Sequence, residues 1–280
     1  MSTPMQTRTT WQDLLHPGDA TDFFARRPMP PFDPSTSTYH AGNAVWLAEL
    51  SRLIYRHDKE EEDAPPQPAR TWFLEQAGFT QRRFFLSQAT HTQAMLVESG
   101  APSPFAVLVF RGSEHHIRDI ITDLNIGKHT LGNSKVDVHQ GFIDALHSVW
   151  HEVEQELDAL TCPVFFTGHS LGAALATLAT ALRQHRHPPK ATYTFGSPCV
   201  GDAAFVASLS GIAHTIHRVV DDADLVTALP HARLGFQHVG TLQQLTAPAS
   251  GGTILSRLGG VFRPPKWLAD HAPVNYVDRI

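Results

Sequence analysis

Residues 165–180, FFTGHSLGAALATLAT, change character midway: an apolar run suited to a buried strand stops at Gly168, and an alanine-rich helical run starts after Ser170. A chain that turns so sharply from strand to helix needs glycine at the turn, because a Cβ there meets neighbouring backbone. The small residues of AALATLATAL let the helix lie close on a sheet. Gly168-His169-Ser170-Leu171-Gly172 also fits G-x-S-x-G. In that pattern the serine sits on a strained turn as a candidate nucleophile, and the following helix aims its first N–H groups at the place where negative charge develops. Three fixed positions recur by chance in roughly one chain in ten of this length. The plain alternative is a glycine-bounded strand–helix turn, so the rest of the chain has to decide.

Strand and helix patterns alternate around this stretch. AGNAVWLAELSRLIYR (41–56) has helical spacing, with Trp46, Leu50 and Leu53 on one face. HDKEEEDAPPQPAR (57–70) reads as a charged loop, its acidic run a solvated surface and not a metal site. RRFFLSQ, TQAMLVES and FAVLVFRG (105–112) read as strands, and FIDALHSVWHEVEQELDAL (142–160) as a long amphipathic helix. PVFFTG, ATYTFG and TIHRVV read as further strands, with a helix near 202–210. Near-continuous apolar strands separated by helices predict an α/β chain whose central sheet is mostly parallel and covered by helices on both faces. Residues 1–35, rich in Pro, Thr and Asp, read as a loosely attached lead-in, and 36–280 as one domain without repeats.

Composition narrows the function classes. The 280 residues are 42% hydrophobic and 18% charged, as expected of a soluble globular protein. A net charge of −5 argues against a nucleic-acid partner. No stretch approaches the apolar length of a transmembrane helix, and the N-terminus lacks a signal-like apolar core. The expectation is a soluble, cytoplasmic protein unless export uses another route; the oligomeric state is not legible. Cys162 precedes one predicted strand and Cys199 follows its neighbour, which places them at opposite ends of the sheet, roughly 15–20 Å apart. Both are expected as free thiols.

A serine nucleophile needs a base and an acid. On a sheet of this kind they follow the serine in the order Asp or Glu, then His, in loops beyond strand ends. DDADLVTALP offers Asp221, Asp222 and Asp224, and the later histidines include His231, His238 and His271. With 18 histidines in the chain, none is marked by rarity, and spacing does not choose among them.

Six segments, VFRGSE, VHQGF, TGHSLGAALA, TFGSPCVGD, DLVTALP and DHAPVNYV, occur in one order over roughly residues 40 to 280. Together they resemble the class 3 (fungal-type) lipase family of the α/β-hydrolase superfamily. The resemblance implies Ser170 as nucleophile, Asp224 as the triad acid and His271 as the base, with His238 as second choice. Asp221 and Asp222 then cap or solvate the turn, and His139 and His169 are structural. It implies an oxyanion hole from Leu171 N–H and from Ser113, which directly follows FRG. EHHIRDIITDLN places Ile117, Ile120, Ile121 and Leu124 on one apolar face. A core-packed helix would look the same, but its position matches the family's lid, expected here near 114–125. It has one residue more before Ile-Arg and carries Ile120 where tryptophan is frequent. The implied activity is hydrolysis of carboxylic esters of fatty acids, foremost triacylglycerols and possible at a lipid–water interface, without metal or organic cofactor. The same machinery would serve a phospholipase A1 or an aryl or feruloyl esterase. A non-catalytic lipid-binding protein on the same fold would be expected to lack a triad member.

Overall fold

In the computed structural model, residues 9–100, 102–113, 127–131, 135–230, 234–246 and 264–280 are described. The first half runs α1 (Trp11–Leu15), α2 (Ala41–Leu53), α3 (Arg70–Gln76), β1 (Phe79–Ser87), β2 (Thr92–Ser99), β3 (Phe105–Phe110), β4 (Lys128–Thr130), β5 (Asp137–His139) and α4 (Gln140–Asp158). The second half runs β6 (Val164–His169), α5 (Leu171–Arg183), β7 (Ala191–Phe195), α6 (Ala203–Ser208), β8 (Ile216–Asp221), β9 (Thr241–Leu245), α7 (Lys266–Ala269) and α8 (Pro273–Arg279).

Seven strands form one sheet in the order β1-β2-β3-β6-β7-β8-β9. From β3 to β9 every pairing is parallel, while β1 and β2 add an antiparallel edge. The predicted mostly parallel sheet is therefore the observed one. Every residue of β3 is buried because alternate side chains enter two cores. Ala106, Leu108 and Phe110 pack under α4 and α5, and Val107 and Val109 pack under α2. This two-sided burial is why the strand reads as an unbroken apolar run. β4 and β5 pair as a separate small hairpin. Among the described residues no helix is long and apolar enough to cross a membrane. Cys162 and Cys199 are both free.

Two regions differ from their compositional reading. From Thr9 onward the lead-in is tied to the C-terminal helices. Thr9 hydrogen-bonds Asn275 and Arg26 forms a two-pronged ion pair with Asp278. Leu14 shares an apolar cluster with Leu268, Ala272 and Val274. Proline and aspartate suggested loose attachment, yet a few long-range contacts suffice to hold the segment. The acidic run also turns partly inward: the buried Arg70 guanidinium takes Glu61 at 2.8 Å and Glu60 at 3.2 Å, so these carboxylates are paired instead of solvated.

Candidate active site

Ser170 is the single residue between β6 and α5 and adopts φ 58°, ψ −124°, a region that L side chains rarely occupy. Such strain costs about 1–3 kcal/mol and persists only where the surroundings impose it. They do so here. Ser170 N–H donates to Phe195 O at 2.9 Å, while its own carbonyl accepts from the N–H groups of Ala173 and Ala174. The flanking glycines permit the approach: a Cβ on Gly172 would lie 2.1 Å from Phe110 O, and one on Gly168 would lie 2.3 Å from the Gly172 carbonyl.

His271 Nε2 stands 2.9 Å from Ser170 Oγ, and His271 Nδ1 stands 2.8 Å from Asp224 Oδ2. A carboxylate only accepts, so Nδ1 carries the proton and Nε2 is left to accept from the serine hydroxyl. The three side chains are buried together. Asp224 lies beyond the carboxyl end of β8 and caps the following turn, its Oδ1 accepting from Val226 N–H at 3.0 Å. Its Oδ2 accepts a second hydrogen bond, 2.6 Å long, from the Tyr276 hydroxyl. Burial foremost, and then the neighbouring Asp224, hold that phenol well above its ordinary pKa, so it remains a donor.

The alternatives fall elsewhere. His238 Nε2–H donates to Thr227 O at 2.7 Å, and burial together with the Arg218 charge pushes the ring down to about 4. Asp222 pairs with Lys266 at the surface. Asp221 does not solvate the turn: its carboxyl is buried against Arg279, and burial pushes its pKa up to about 7. His231 lies outside the described residues, as do the expected lid positions Ile117, Ile120, Ile121 and Leu124.

His169, expected to be structural, buttresses the site. Its Nε2–H donates to the His271 carbonyl at 2.7 Å, and its Nδ1 therefore accepts from the Tyr55 hydroxyl at 3.1 Å. Burial keeps this ring neutral, well below the ordinary histidine pKa, with the neighbouring His271 acting in the same direction. The sequence reading missed the supporting tyrosines. Tyr276 at least stood within a recognised segment, whereas nothing in RLIYR sets Tyr55 apart. His139 is buried and stacked on Phe142 with ring centroids 4.0 Å apart, and burial lowers its pKa.

The loop after β3 meets the nucleophile. A Cβ on Gly112 would fall 2.6 Å from His169 O and 3.3 Å from Ser170 Cβ, so Ser113 is one residue from the contact. Leu171 opens α5, and the first N–H groups of a helix have no acceptor within it. The loop after β3 and the first turn of α5 thus both adjoin the serine.

Residues 107–234 match the family model of the class 3 lipases. The chain is 36% identical over 150 residues to a lipase of Rhizomucor miehei, covering 48% of this chain and 39% of that protein. It is 34% identical over 142 residues to a secreted mono- and diacylglycerol lipase of Fusarium solani, covering 47% and 41%. The matched region thus spans about two fifths of those relatives' length. The solved structure of the Rhizomucor miehei triacylglyceride lipase superposes with a TM-score of 0.61 at 27% identity, covering 75% of this chain and 81% of that one. With an α/β-hydrolase sheet beneath it and a family match running from β3 past the Asp224 turn, residues 107–234 are similar to the class 3 lipases.

Proposed function

We propose that this protein hydrolyses carboxylic esters of fatty acids through an acyl-enzyme on Ser170, with acylglycerols as its substrates. The observation that carries the proposal is the unbroken run of hydrogen bonds from Ser170 Oγ through the His271 ring to Asp224. His271 Nε2 takes the hydroxyl proton as Oγ attacks the ester carbonyl carbon. The resulting oxyanion accepts from Leu171 N–H and from Ser113, by N–H, hydroxyl or both. Asp224 stabilises the imidazolium, which returns its proton to the leaving alcohol. Water then repeats the sequence and releases the fatty acid. Acylglycerols are favoured by the relatives, whose names specify lipase or mono- and diacylglycerol lipase. We assign the apolar stripe of Ile117, Ile120, Ile121 and Leu124 to a lid over the acyl site. The catalytic unit takes in the lead-in from Thr9, since that segment packs on the residues around His271.

The test is Ser170→Ala in a folded protein assayed on p-nitrophenyl esters, triglyceride and phosphatidylcholine. Wild type should cleave acylglycerols best, and the variant should lose on the order of 10⁴-fold or more in kcat. Full activity in the variant refutes the mechanism. A preference for phosphatidylcholine or for short aryl esters replaces the substrate assignment, and equal rates on monomeric and emulsified ester refute the lid.

A further inference from the structure

His271 rides on a short segment that no sheet strand carries. Its backbone carbonyl is held by His169, and its N–H reaches Leu268 O at 3.1 Å. The residue before it, Asp270, has a side chain only 1% exposed. Asp270 Oδ1 lies 2.9 Å from Arg279 Nη1, and the same nitrogen lies 2.5 Å from Oδ2 of Asp221, the last residue of β8. The other oxygen of Asp221 is buried without a hydrogen-bond partner. Two buried carboxylates therefore meet on one guanidinium nitrogen, and a third, Asp224, stands close by: Asp224 N–H donates to Asp221 O at 2.8 Å.

The other groups on Asp270 are weaker holds. Lys266 Nζ reaches Oδ2 at 2.9 Å, but its side chain is 62% exposed and it also serves Asp222. Ala223 N–H is 3.4 Å from the same oxygen. An exposed ammonium shared between two acids is screened by solvent, whereas a guanidinium only 11% exposed is screened far less. Removing Arg279 would leave Asp221 and Asp270 facing each other in a dry site. Above about pH 7, where Asp221 is ionised, like charges so placed must separate or take up a proton, and at any pH the acid left without its anchor and free to move is Asp270, on the short segment.

We propose that Arg279 is a positioning residue for His271: by joining Asp270 to Asp221 it fixes the backbone that carries the catalytic imidazole to the end of β8. The inference rests on the serine-hydrolase reading. Arg279 touches none of the reacting atoms, so its loss should change turnover more than substrate binding.

The test uses the full chain and a soluble p-nitrophenyl ester, well below the melting temperature of each variant. Arg279→Met should lower kcat at least tenfold while KM stays within about twofold, and Arg279→Lys should recover much of the loss because an ammonium can still join the two acids. In a double-mutant cycle, Arg279→Met should cost much less in kcat on an Asp270→Ala background, where no side-chain acceptor remains and the path through Asp270 is already cut. If Arg279→Met does not fold, the same cycle is read with Arg279→Lys. Wild-type kcat in a folded Arg279→Met protein overturns the proposal, as does a loss of equal size on the Asp270→Ala background. Failure of the serine-hydrolase reading itself looks different: wild type would then hydrolyse no ester, or Ser170→Ala would hydrolyse it as well as wild type.

Discussion

Gly196, directly after β7, offers a direct test of how tightly the site is built. It adopts φ +62°, and a Cβ there would lie 2.8 Å from Asp224 Oδ2, 3.0 Å from His271 Nδ1 and 3.0 Å from the Tyr276 hydroxyl. The methyl of Gly196→Ala would therefore sit on the junction of three hydrogen-bonded atoms. To restore an ordinary contact of 3.4 Å, Asp224 Oδ2 must retreat by about 0.6 Å. A 1 Å misplacement in an active site costs on the order of 10²-fold, so a loss of roughly ten- to fiftyfold in kcat is expected. The left-handed backbone adds about 1–2 kcal/mol of strain, and weakening a bond to the buried carboxylate adds about 1.5–3 kcal/mol. Steady-state kinetics on a soluble p-nitrophenyl ester and urea unfolding measure the two effects separately. Gly211→Ala is the control, because nothing lies within 4 Å of a Cβ there and its φ is not left-handed. A Gly196→Ala protein with wild-type kcat would show that the Asp224–His271 contact is not held as described.

Two further substitutions test the assignments around the triad. Asp221 has a pKa raised by burial from 3.8 to about 7. Between about pH 4 and pH 7 the unfolded chain has released this proton while the folded one keeps it, so the residue's contribution to stability falls as pH rises through that window and stays low above it. Asp221→Asn, which can still accept from Arg279, should therefore gain stability relative to wild type from pH 4 to pH 7, by a few kcal/mol at most; urea titrations whose difference is flat with pH would count against it. His238→Gln should keep kcat within about twofold of wild type, because His238 bonds Thr227 O and not Ser170; a loss comparable to Ser170→Ala would move the base from His271 to His238.

The strained turn at Ser170 was legible because its signal is local. One apolar strand, two glycines and an alanine-rich helix are contiguous, and each is required by the packing seen around φ 58°. Asp224 and His271 are 47 and 101 positions away from their partners His271 and Ser170. Order along the chain left three acids and three histidines open, and only the family segments chose between them. Asp221 shows what a turn-rich stretch conceals. DDAD offers three acids that spacing does not tell apart, yet one is buried at the end of β8, one faces Lys266 at the surface and one holds His271. Short polar elements were also missed: β9 reads TLQQL, without the alternation that marks a strand, and β4 reads KHT, without the length.

The three catalytic candidates are held in two different ways. Ser170 directly follows β6 and Asp224 lies one turn beyond β8, and each of these strands is fixed by neighbours on both sides through backbone hydrogen bonds. His271 has no strand behind it. Its position depends on side chains from distant parts of the chain: His169 on its carbonyl, Arg279 on the preceding aspartate, Tyr276 on the acid it binds, and Leu14 and Thr9 against the helices on either side. A sheet tolerates the loss of one side chain because its ladder remains, whereas a short segment held by a few buried polar contacts loses alignment with each contact removed. The accuracy of the triad is therefore limited by its histidine, and a lead-in that composition alone would dismiss becomes part of what aligns it.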